Sequence, residues 1–520
     1  MERPFVRRDR GGSRRWGLVV RVLLAGLVGG AADALEVDPY YSWGRSPADA
    51  SEVVNAKFDL EIRAAVVAAE ERLGRPPTCE QVTRAVYRRL ASKIFQPIDL
   101  WAVQTTLLER VPAGGDETLE YRRNNLYSDA AFLDIGMWMP ITPTIQVDGV
   151  LIGIDKLSHF VSSGWRYRAA YLRARRDGLD AAAAQLQAIR WGILEERTIN
   201  GSLSTGVLSR GDLEANHGGM RFYLELCAEG DPILALEGGR WEVVRPFDIR
   251  RYVGPEWDEG YQPSVFSGYR WRRVRPRLVG YCPRLAEPVV REQLARYQAA
   301  DRVTPTEVLF QDLVAEGKVE DPDLFGLLAN CTEQELPARS ASAGEASLID
   351  PGDDSVREDR GDELRRALLE LELDRPLRVV GLVSLSVDRP KGLSGSIGAI
   401  FAHPRRTDDC REVCLLRGPY LQADLGTTGG QLSVGYGSIV GDTGSKDSFV
   451  TAAYLAVGIE AAVLRTWGGS PLEPEAQTLA GIEGQLSIAR VALKLGVFGR
   501  VSDADHGDRW VVTGGVGWGF

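Results

Sequence analysis

From about Leu377 onward, apolar residues recur at every second position, a period that belongs to β-strands and not to helices. Leu377, Val379, Gly381, Val383, Leu385 and Val387 share one face, and Leu393, Ile397, Ala399 and Phe401 share the next. Leu421, Ala423 and Leu425 oppose Tyr420, Gln422 and Asp424, and Leu432, Val434 and Tyr436 oppose Gln431, Ser433 and Gly435. Ala480, Ile482, Leu486 and Ile488 then oppose Glu483, Gln485 and Ser487. In the last stretch every even position from Trp510 to Phe520 is apolar, aromatic or Gly.

Parity tests the pairing. A two-residue hairpin turn pairs residue i with i+3, so the apolar face must switch between even and odd positions. It switches across Ala489-Arg490, where Ile488 and Val491 are both apolar. Between Phe449 and Val463 the odd set never switches, so that run reads as one long strand. The count is eight strands, near 377–388, 393–403, 418–426, 430–440, 448–467, 477–488, 491–501 and 509–520. Ten is the alternative, if 448–467 divides and 364–373 joins.

Even strand number, many inward glycines and an aromatic last strand make this region resemble small bacterial outer-membrane β-barrels. The alternative is a soluble β-sandwich, whose strand faces also alternate. The resemblance implies an outer-membrane location and lipid as a partner. The interior of an eight-stranded barrel is just filled by its own side chains. The expected role is therefore an anchor, a docking surface or at most a narrow conduit, not a wide pore. Lys494, Arg500, Glu483, Asp424 and Arg378 are candidates for a lumen ion-pair network.

The start of the chain agrees with export. Arg7, Arg8, Arg10, Arg14 and Arg15 precede an apolar stretch from Trp16 to Ala31, and Ala32-Asp33-Ala34 offers a small-x-small cleavage site. Residues 1–34 read as a signal peptide. The six Cys fit disulfides in an exported protein. Pairing within each region is expected: Cys79, Cys227, Cys282 and Cys331 among themselves, and Cys410 with Cys414. A metal site at Cys410 and Cys414 is the alternative for the latter pair. A net charge of −10 argues against a nucleic-acid partner.

Residues 35–331 read as a mainly helical periplasmic domain. Val54, Phe58, Ile62, Ala65, Val66 and Ala69 recur at helical spacing within Ser51–Leu73. Pro76-Pro77 ends that helix, and Thr78 with Gln81 outlines a capping box for the next, from Cys79 to about Phe95. Further helices are expected at Ile154–Arg176, Asp180–Arg197, Asp212–Ala228 and Val289–Ala299. Between 230 and 284 the chain is rich in Trp, Tyr, Arg and Pro, and irregular structure with short strands is expected there. Residues 332–376 form an acidic, small-residue linker that is too polar to fold alone. The fold class is multidomain α + β: a helical domain, a disordered linker and an antiparallel β-barrel.

The candidate chemistry lies in Asp155-Lys156-Leu157-Ser158-His159-Phe160. Asp155 and His159, at i and i+4, share a helix face, where a carboxylate can orient an imidazole and raise its basicity. This segment uses one of only four His in the chain. Its D-K-x-x-H-F string resembles a motif in VanZ-like membrane proteins and in a small periplasmic lipoprotein family. VanZ-like proteins cross the membrane several times, so their fold does not carry over. Glu196 ends the next expected helix. Asp212 and Asn216 are again i, i+4, with His217 beside them, and Ser209-x-x-Asp212 outlines a cap. Asp155, Lys156, His159, Glu196, Asp212 and Asn216 are the candidate acid–base set. Asp155, His159, Glu196, Asp212 and His217 are the alternative ligands for a divalent metal. Each also has a purely structural reading: cap, core histidine, or solvated charge.

Two functions follow. The first is an envelope protein whose barrel anchors a helical domain in a structural or interaction role, with peptidoglycan or another envelope protein as partner. The alternative is an outer-membrane-tethered hydrolase or metal-binding protein acting on an envelope polymer or lipid.

Overall fold

The computed structural model describes residues 36–91, 97–128, 141–197, 205–228 and 230–331, short pieces at 131–132, 137–138 and 201–202, and residue 364. In the last third it describes 378–404, 414–442, 452–467, 476–488, 491–501 and 510–519. The expected signal peptide, the linker (Leu364 apart) and Cys410 lie outside these residues. The chain divides into two compact units. One comprises 1–51, 58–99 and 125–344; the other comprises 52–57, 100–124 and 345–520.

The first unit is built on helices. Helix α1 (Ser51–Leu73), whose residues 58–73 belong to this unit, buries Val54, Phe58, Ile62, Ala65, Val66 and Ala69, the set its periodicity marks. It ends at Gly74, whose φ of 61° suits a left-handed C-cap. Helix α2 (Cys79–Leu90) opens on the expected capping box between Thr78 and Gln81. A hairpin, Thr144–Val147 with Val150–Gly153, leads into α3 (Asp155–Ser158). A π-helical turn, His159–Ser163, follows, and then α4 (Gly164–Arg176). Helices α5 (Ala181–Glu196) and α6 (Arg210–Glu225) pack on α4.

The region 230–284 holds short strands, as expected, but also a helix not expected there, α7 (Gly268–Val279). Its Arg-rich sequence buries only Arg270, Val274 and Leu278, three positions spaced four apart and a stripe too narrow to stand out. Helices α8 (Pro288–Ala300) and α9 (Pro305–Ala315) follow. Disulfides Cys79–Cys227 and Cys282–Cys331 keep the four cysteines of this region paired among themselves. Among the described residues, no helix is long and apolar enough to cross a membrane.

The second unit carries a closed antiparallel barrel of eight strands. They are β1 (Arg378–Arg389), β2 (Gly392–Pro404), β3 (Cys414–Gly426), β4 (Gly429–Asp442), β5 (Ala452–Thr466), β6 (Thr478–Ile488), β7 (Val491–Arg500) and β8 (Trp510–Gly519). Each pairs with its sequence neighbour, and β8 closes on β1. Ile488 pairs with Val491, as the parity switch requires, and β5 runs unbroken, so the ten-strand alternative falls.

Polarity along the strands is inverted relative to a soluble core. Val383, Leu385, Ile397, Leu432, Ile459, Ile482 and Val512 are at least half exposed on the outside. The inward positions carry buried polar groups. Lys494 Nζ donates to Asp424 Oδ2 at 3.0 Å, and Lys391 donates to the same oxygen. Gln431 Nε2 donates to Glu460 at 3.1 Å and Glu483 at 3.2 Å. Of the expected lumen set, Lys494, Glu483 and Asp424 lie in this network, and Lys391 from the β1–β2 turn joins them. Arg500 is half-buried at the end of β7, and the Arg378 side chain lies outside the described residues. Glycine shapes the interior too. A Cβ at Gly435 would stand 2.6 Å from the Tyr420 ring and one at Gly458 2.8 Å from its hydroxyl, so those positions form a bed for the ring.

Candidate functional site

Two helices cross where the candidate residues lie, and glycine permits the crossing. A Cβ on Gly219 of α6 would sit 1.8 Å from the Phe160 carbonyl oxygen, and one on Gly164 would sit 2.6 Å from Gly219 Cα. The π turn therefore rests backbone-to-backbone on α6. Phe160 locks the other side, with ring centroids 5.4 Å from Phe222 and 5.2 Å from Tyr252. A π turn widens one helical turn and re-aims its side chains, and such turns are frequent at functional sites.

This crossing sets Asp155, Lys156 and His159 against Asp212 and Asn216. Lys156 is the hub, with its side chain fully buried. Its Nζ lies 2.5 Å from Asp155 Oδ2 and 2.7 Å from Asp212 Oδ1, and it donates to Glu259 Oε1. His159 Nδ1 is 3.1 Å from Asn216 Oδ1. His159 Nε2 stands 3.3 Å from Asp212 Oδ2 but has no hydrogen-bond partner. Thr142 Oγ1 donates to Asp155 Oδ1 at 3.0 Å. Gly153 makes room for that carboxylate, since a Cβ there would lie 2.1 Å from Asp155 Oδ1. Ser209 caps α6 by accepting from the Asp212 amide at 3.0 Å, and its hydroxyl donates to Glu259 at 2.9 Å.

Burial and charge act against each other here. Burial works against the Lys156 ammonium, but Asp155, Asp212 and Glu259 outweigh it and push its pKa well above the ordinary lysine value. Burial also works against an ionised Asp212, yet His159 and Lys156 hold its carboxyl below the usual range. Glu259 is pushed up, by burial first and by the negative charges of Asp212 and Asp155, against the pull of Lys156. Glu36, on a short strand paired with Ile141–Thr142, is pushed up by burial and by Glu259 and Asp212. Four buried carboxyls thus share one lysine and one histidine.

Two candidates stand apart. Glu196 ends α5 facing the turn at Gly201, where a Cβ would lie 2.8 Å from its Oε2. His217 points from another side of α6, its Nε2 2.6 Å from the Gln185 amide and its Nδ1 4.0 Å from Glu214. The residues whose ligand atoms all lie within 4.8 Å of one another are Asp155, His159 and Asp212. One histidine nitrogen and two carboxylates form a donor set suited to a divalent cation. Asn216 gives that set an outer partner, since an imidazole bonded through Nδ1–H to an oxygen presents its Nε2 lone pair.

Sequence reasoning misses Glu36 and Glu259. They reach the centre from a two-residue strand and from a turn, where no periodicity marks a buried face. Comparison with family models, curated proteins and solved structures gives no match to this chain.

Proposed function

We propose that the protein is an outer-membrane anchor: the barrel inserts in the membrane, and the helical unit serves a structural or interaction role in the periplasm. The observation that carries this reading is the inverted polarity of the barrel. Half-exposed Val, Leu, Ile and Trp cover its outside, while Lys391, Asp424, Glu460, Glu483 and Lys494 are buried within. Water would not leave so much apolar surface uncovered, whereas acyl chains solvate it. Eight strands return both ends of the barrel to one side, so the preceding chain enters from the side where the last strand ends. The resemblance to small outer-membrane barrels supports taking that side as periplasmic. Peptidoglycan or another envelope protein is then the partner within reach. Cell fractionation with gel mobility before and after heating tests the reading. The expected result is an outer-membrane species that migrates faster unheated. A soluble periplasmic monomer overturns it.

A second reading is favoured by His159. Its Nε2, buried and without a hydrogen bond, faces the carboxylate of Asp212. In this reading a divalent cation is held by Asp155, His159 and Asp212, and hydrolysis of an envelope polymer or lipid is the activity such a centre would serve. Calorimetry of the full chain with Zn²⁺ or Mn²⁺ tests it. Stoichiometric binding that His159→Ala abolishes and His217→Ala leaves intact supports the site; no binding to the folded wild type removes it.

A further inference from the structure

The outer wall of the barrel is not uniform. The strand register lines up Trp518, Leu385, Gly395 and Leu425 in one row across β8, β1, β2 and β3. The next row holds Ile397 paired with Ala423. Two of these outward positions carry little or no side chain, between neighbours that are large. The result is a trough of about 550 Å³ on the wall, walled by Leu385, Leu425, Ile397 and Trp518 and floored by Gly395 and Ala423. A Cβ placed on Gly395 would meet no atom within 4 Å, so the glycine is not demanded by packing.

The lining chooses the occupant. The polar residues bordering the trough, Ser384, Ser396 and Asp424, are buried on the lumen side. The backbone at Leu385 and Gly395 is paired with strands on both sides. No charge is offered to a headgroup, and no free strand edge to a peptide. What remains is dispersion with hydrocarbon, inside the apolar belt of the barrel.

We propose that this trough is a seat for one acyl chain of an outer-membrane lipid, held longer than the lipids around the rest of the wall. The proposal rests on the membrane reading of the barrel. The test uses the full chain in vesicles of phosphatidylethanolamine and phosphatidylglycerol doped with a phosphatidylethanolamine carrying a photoactivatable diazirine on its acyl chain. After illumination, labelled residues are mapped by mass spectrometry. Labelling at Leu385, Ile397 and Leu425 should exceed that at Ile459 and Ile482 on the opposite wall several-fold. Gly395→Phe, which fills the trough, should abolish the excess and leave the opposite wall unchanged; Gly395→Ala should lower it only slightly. Heat-modifiable mobility of both variants reports that the barrel has folded. Equal labelling all round overturns the proposal and leaves the membrane reading standing. A protected trough together with a dimer on the unheated gel places a second copy there and also overturns it. A chain that stays unlabelled and outside the vesicles overturns the membrane reading itself.

Discussion

Lys156 decides how the buried centre should be understood. A single ammonium sits against Asp155, Asp212 and Glu259, so it is the resident counter-charge for the cluster. Removing one partner of a buried ion cluster leaves uncompensated charge and costs about 3–5 kcal/mol. Lys156→Met should therefore destabilise the helical unit by that amount in metal-free buffer. If the carboxylates also serve a cation, Zn²⁺ or Mn²⁺ should restore much of the loss, because the ion takes over the role of the ammonium. Thermal melts of the variant with and without metal check both statements, and wild-type stability without metal would contradict the first. Asp258 makes the helical unit sensitive to pH. Burial raises its carboxyl from 3.8 to about 7, against the hydrogen bonds of Gly260, Tyr297 and Tyr261. A carboxyl raised on folding holds its proton longer in the native state, so its contribution is fully present at low pH. It is lost as pH rises through about 7, by on the order of 4 kcal/mol. Asp38, raised to about 6 by burial, has the same sign, whereas His217, pushed down to about 4, opposes them as pH falls. Melting should be higher near pH 5 than at pH 8, and Asp258→Asn should flatten that slope.

Elements explain which parts of the site were legible. Asp155 with His159, and Asp212 with Asn216, stand at i and i+4; the passage from α3 into the π turn keeps the first pair on one face, and α6 the second. The sequence of residues 154–176 reads as one helix, however, and gives no sign of the π turn at His159–Ser163. That turn is a tertiary event. It forms where Gly164 and Gly219 let two backbones touch, and the Gly218-Gly219 pair reads equally well as simple close packing. Glu196 and His217 show the converse: helical spacing places them near the right segment, but only the packing of α5 and of Gln185 decides where they point. Gly219→Ala tests the crossing. Overfilling a packed core costs about 1–3 kcal/mol, and a clash with backbone belongs at the top of that range or above it. The variant should lose about 3 kcal/mol or more, read by chemical denaturation, while Gly268→Ala, at the exposed start of α7 with no atom within 4 Å of its Cβ and no left-handed backbone to strain, should change stability far less.

The barrel was legible almost whole because a period of two leaves little freedom. Once one face is apolar, a slip of one residue would turn Leu385 inward and Asp424 outward, so register follows from the pattern. What the pattern does not give is the wiring of the lumen, because Lys391 reaches Asp424 from a turn, where alternation has ended. That wiring should close the lumen to ions. Asp424 joins two lysines, one from the β1–β2 turn and one from β7, and Gln431 ties Glu460 to Glu483. Leu382, Ile400, Ala402, Leu416 and Tyr420 pack a separate apolar cluster within the same interior. An ion crossing such a lumen must shed water beside apolar side chains and break these pairs, a cost of several kcal/mol per ion. The reconstituted barrel should therefore show no porin-like conductance steps in planar bilayers and no sugar-driven swelling of liposomes. Asp424→Ala removes the carboxylate that both ammoniums share. It should lower the temperature at which the folded gel band converts to the unfolded one before it admits any current. Steady wild-type conductance would mean that the lumen is not packed as the network implies, and would turn the anchor into a channel.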